Sequence, residues 1–139
     1  MSELDCKLVA LANLGDAETV FLQKLATLKT EDAFSHFRVI SLIFMKYPKN
    51  AAIEKLESLL AAPGMSMHAH RTYQDAILSN REEVQDNSIR NAQLKEIYLA
   101  AALNACQPGN LLAQKSLLSY IDGLQGHYQK FALKAIQNA

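Results

Sequence analysis

Leu8–Leu28 reads LVALANLGDAETVFLQKLATL, Val39–Leu59 reads VISLIFMKYPKNAAIEKLESL, and Leu99–Ser119 reads LAAALNACQPGNLLAQKSLLS. Laid over one another without gaps, their apolar positions largely coincide, and so do Gln23-Lys24, Glu54-Lys55 and Gln114-Lys115. The starts are displaced by 31 and then 60 residues, one and two units of a period of about 30. Each stretch is an apolar run, a polar joint and a second apolar run, the pattern of a helical hairpin that hides its oily face against the next. Leu and Ala dominate, Trp is absent, and Gly and Pro number only five and three, so helices are favoured over strands. The expected fold is all-α: stacked antiparallel helical hairpins forming a short α-solenoid of about eight helices, in one domain over residues 1–139.

Working outward, Ser2-Glu3-Leu4-Asp5 opens a first helix that stops at Asn13-Leu14-Gly15. Asp16 caps a second, with Ala17, Val20, Phe21, Leu25 and Leu28 on one stripe. Thr30 begins a third, apolar nearly all round through Phe34, Phe37, Val39, Ile40, Leu42, Ile43, Phe44 and Met45, until Pro48 breaks it. Asn50 caps a fourth that Pro63-Gly64 ends, and Ser66 starts a thinner one through Ile77. Residues 80–87, NREEVQDN, read as an exposed loop. A long helix over Ile89–Ala105 follows, then a turn at Gln107-Pro108-Gly109-Asn110 with a fresh cap, a helix ending at Asp122-Gly123, and a last one carrying Tyr128, Phe131, Ala132, Ala135 and Ile136.

Fourteen basic residues balance fourteen acidic ones, so no global field draws in nucleic acid or an anionic membrane. No apolar run reaches the ~18 residues a membrane span needs, and Met1-Ser2-Glu3-Leu4-Asp5 lacks the basic start of a signal peptide; the chain as given is expected to be soluble. Cys6 and Cys106 have no Cys-x-x-Cys partner; both lie in apolar runs, where a thiol packs as a small hydrophobe, and a bridge between them is the alternative.

No arrangement of residues amounts to a catalytic, cofactor or metal site. The glycines never form a phosphate-binding loop, and no Ser, Cys or His stands in a nucleophile context. Glu82, Glu83 and Asp86 lie among Arg81 and Arg90 as a solvated charge run, and His36 reads as a core or rim residue. His68-Ala69-His70, after Met65 and Met67, is the one cluster resembling metal ligands. Histidines two apart share a face only in an extended segment, and no third ligand stands at a convincing spacing. Val20, Phe21 and Leu22 are consecutive apolar residues that one stripe cannot all bury. Together with Tyr73, His68 and His70 they are the candidate interaction surface.

Ile89-Arg90-Asn91-Ala92 opens its helix in the manner of HEAT-like repeats. The run Leu94-Lys95-Glu96-Ile97-Tyr98-Leu99-Ala100-Ala101-Ala102-Leu103, with Cys106, Leu118, Tyr120, Asp122-Gly123-Leu124-Gln125-Gly126-His127-Tyr128 and Ala132, resembles the C-terminal helical tail of certain bacterial FAD-dependent oxidoreductases. Pro63-Gly64-Met65-Ser66 with His68-Ala69 is similar to the joint upstream in those tails. The resemblance implies a non-catalytic interaction or scaffold module of a longer protein. A separate Rossmann-type domain would hold the FAD, and that domain or another subunit would be the partner. A small-ligand or metal-binding helical protein using His68 and His70 is the alternative from a different class.

Overall fold

A computed structural model describes residues 18–69, 88–122 and 127–137. Among these residues the chain is all-helical, without a strand: α1 (Glu18–Thr27), α2 (Phe34–Lys46), α3 (Asn50–Ala61), α4 (Ser88–Cys106), α5 (Leu111–Asp122) and α6 (His127–Gln137). The all-α expectation holds at that level. The expected first helix at residues 2–13, most of the one from Ser66 to Ile77, and the loop at 80–87 lie outside the described residues. The part of the Ser66 segment that is described, through Ala69, is not helical. None of the described helices is long and apolar enough to cross a membrane.

Helix α4 lies at the centre, with α2, α3, α5 and α6 all packed on it and α2 most extensively. Its second half explains the position. Ile97 and Leu99–Leu103 are apolar on every side, and each is almost fully removed from solvent. A helix without a polar face is stable only with neighbours all round. The alanines at 100, 101 and 102 keep it slim, so four helices fit against it. Phe37, Ile40, Phe44, Leu56, Leu60, Leu117 and Ala132 complete the core from those neighbours.

The two fully described repeat stretches break at the same register. Helix α2 ends at Lys46 and α4 at Cys106, 60 residues apart, as the sequence spacing requires. The same bond closes both: Tyr47 N–H donates to Ile43 O at 2.8 Å, and Gln107 N–H to Leu103 O at 2.9 Å. Pro48 and Pro108 then deny the helix its next donor. Past the joints the copies diverge. Asn110 caps α5 as expected, its Oδ1 accepting Ala113 N–H at 3.0 Å. Its counterpart Asn50 does not cap: it is the first helical residue of α3, and extended Lys49 holds the cap position without a side-chain cap bond.

Thr30 likewise does not start α2. Asp32 Oδ2 turns back to accept Lys29 N–H at 2.8 Å, closing a turn, and the helix begins only after Ala33. Nor is α2 buried all round, because Leu42 points outward, 38% exposed.

Helices α4 and α5 form an antiparallel pair, since Glu96 meets Tyr120 and Ser116 while Asn104, two turns on, meets Gln114. The short joint at 47–49 makes no such pair of α2 and α3. Backbone at Tyr47 (φ −124°, ψ 73°) and Lys49 (φ −135°, ψ 133°) swings the chain away, and both helices lay their stripes on α4 instead.

Candidate functional site

The most elaborate polar arrangement among the described residues surrounds Glu96, in the middle of α4 and only 1% exposed. Its Oε2 accepts Met67 N–H at 3.0 Å and the Ser116 hydroxyl at 2.8 Å. Its Oε1 accepts His68 N–H at 3.0 Å and the Tyr120 hydroxyl at 2.9 Å. Four donors saturate a carboxylate. Tyr120 OH also lies 3.4 Å from Gln93 O, but its single proton goes to the nearer, charged acceptor. Burial, reinforced by the Glu96 charge, pushes the Tyr120 phenol far above its ordinary range.

These bonds fasten the strap Met65–Ala69 to α4. Met67 sits in the left-handed region at φ 72°, which turns successive N–H groups of residues 67 and 68 toward one anion. Gln93, one turn before Glu96, donates from Nε2 to His68 O at 3.1 Å. The His68 ring folds back so that Nε2 lies 2.9 Å from Gly64 O; a carbonyl only accepts, so that nitrogen carries the proton. Both carboxylate oxygens are therefore fully engaged in holding the strap and α5 to α4.

A second polar node ties the far end of the same seam. Buried Asn104 accepts from Gln114 Nε2 at 3.0 Å and Gly109 N–H at 3.3 Å. Asn110 donates to Glu57 at 2.9 Å and to Gln107 at 2.7 Å. Lys95, beside Glu96 but on another face, donates to Thr30 O at 2.9 Å with its ammonium 4.8 Å from the Phe37 ring centroid. Burial lowers its pKa, with Asp32 and Glu31 acting in opposition.

Of the residues singled out in the sequence, His68 joins the strap, whereas His70 and Tyr73 lie outside the described residues. Phe21 belongs to the core and Leu22 packs against it, leaving Val20 as the exposed member of that trio. His36 is exposed on α2. Cys106 is a free, buried thiol whose pKa burial raises; Cys6 is outside the described residues. Among the described residues no group of three or more His, Cys, Asp or Glu is placed to hold a metal ion.

An apolar groove of about 280 Å³ opens between α2, α4 and α6, walled by Leu42, Met45, Phe131 and Lys134 and floored by Ala101, Ala105 and Ala135. Neither it nor the Glu96 clamp was singled out from the sequence. Gln93 and Glu96 do share a face with Ile97 and Ala100 at helical spacing, and polar residues on an otherwise apolar stripe are the signal that marks them. No protein-family model, curated protein or solved structure matches the chain.

Proposed function

We propose that this chain is a non-catalytic helical interaction module, a short HEAT-like stack similar to the C-terminal tail of bacterial FAD-dependent oxidoreductases. The observation that carries the reading is how polar and apolar groups are distributed. The buried polar groups Glu96, Gln93, Asn104 and Asn110 bond inward. Large apolar side chains stand outside on helices whose inner faces are already filled: Leu42 on α2, Leu111 at 86% exposure and Leu118 on α5, and Leu133 on α6. Such side chains gain by being covered. The shared register of the joints after α2 and α4 supports a repeat in the chain, although only the second joint closes an antiparallel pair. On this reading the partner is a protein domain or subunit, such as an FAD-binding catalytic domain in the same parent chain. The balanced charge gives neither nucleic acid nor membrane an advantage.

Affinity capture from native cells tests it. The wild-type chain should retain a stoichiometric partner that a Leu111→Ser/Leu118→Ser variant or a Leu42→Ser variant loses, with circular dichroism unchanged. Absence of a stoichiometric partner on the wild-type chain sinks the reading.

A further inference from the structure

We infer that the groove between α2, α4 and α6 is the docking site for an acidic amphipathic helix of another protein. This rests on the interaction-module reading and gives the partner its chemistry. The floor is made of Ala101, Ala105 and Ala135, and the walls of Leu42, Met45 and Phe131, so an apolar ridge can approach closely. The rim is positive. Lys134 lines the groove itself, and exposed Lys130 is one turn back on the same face of α6. On α2, exposed Arg38 and Lys46 flank Leu42 at four residues on either side.

Helices α2 and α6 contain no acidic residue at all, and the only one on α4 is Glu96, buried with its oxygens fully engaged. In a chain of zero net charge that is a marked segregation. It favours an occupant with carboxylates flanking its apolar ridge.

Among the described residues, no surface of a second copy of this chain fits. The exposed ridge Leu111–Leu118 on α5 carries Lys115 between its leucines, which would face the basic rim. The acidic outer face of α3, with Glu54 and Glu57, presents no large exposed apolar side chain. A nucleic acid would match the rim but not the apolar floor.

The test uses fluorescein-labelled helical peptides of about 18 residues. One has leucines at i, i+3, i+4 and i+7 with glutamates flanking them; a twin has lysines for glutamates; a third scrambles the order of the first. In fluorescence anisotropy the glutamate peptide should bind at least about tenfold tighter than either control. The exposed pair Lys130→Glu/Lys134→Glu should weaken it by about tenfold and favour the lysine twin, with the thermal transition unchanged. Leu42→Ser should weaken both peptides. Equal binding of the three peptides, indifference to the charge reversal, displacement by an equimolar single-stranded oligonucleotide, or no binding each overturns the proposal. If the partner captured from cells is kept by the Lys130→Glu/Lys134→Glu chain but lost by Leu111→Ser/Leu118→Ser, the groove assignment fails while the module reading stands.

Discussion

At residue scale Glu96 is the most consequential side chain. Removing it takes the acceptor from two part-buried backbone N–H groups and two buried hydroxyls, and Glu96→Ala should cost about 3–5 kcal/mol in urea unfolding. Tyr120→Phe removes one of the four bonds and should cost about 2 kcal/mol at neutral pH. The pH dependence separates that bond from simple packing. Because the folded phenol is held neutral, its contribution is complete below the ordinary value of 10.0 and is lost as pH climbs from there toward the raised folded pKa. Wild type should therefore lose up to about 1.36 kcal/mol per pH unit relative to Tyr120→Phe above pH 10. Two other positions go the other way. Met67 is exposed and left-handed, so Met67→Gly should stabilise by about 1 kcal/mol. Ser41 is fully buried with no partner for its hydroxyl, and Ser41→Ala should be neutral or stabilising by about 1 kcal/mol. Of this the chain shows only that Gln93 and Glu96 interrupt an otherwise apolar stripe. Glu96 follows Lys95 and resembles a solvent-facing ion pair, while its donors come from residues 20 to 29 positions away.

At the scale of elements, local signals survived wherever the deciding contact was local. Pro48 and Pro108 ended their helices, Gly109 at φ 84° took the turn that an L side chain resists, and Asn110 capped its own third residue. Asn110→Ala should cost about 1–2 kcal/mol in the same unfolding assay, since Glu57 and Gln107 lose their donor along with the cap. Expectations failed where a competing local geometry won. Extended Lys49 takes the cap position that Asn50 was to hold, and a turn closed by Asp32 displaces the helix start from Thr30. The outward turn of Leu42 was equally hidden, because hydrophobicity alone does not say on which side of α2 the neighbours lie.

At the scale of the whole molecule, α4 is the common support and α1 the outlier, touching only α2 and α3 substantially among the described helices. Amide exchange should show it: Leu99–Leu103 should exchange only through global unfolding, while α1 opens first and at far lower free energy. Slow amides in α1 matching those in α4 would contradict this layout. The divergence of α2 and α3 after their joint has a practical result. Each leans on α4 and neither on the other, so residues 18–69 contain no complete interior of their own and borrow one from residues 88–137. Severed between positions 69 and 88, the two pieces would be incomplete apart and mutually templating when mixed, which suits the protein to use as a fragment-complementation reporter.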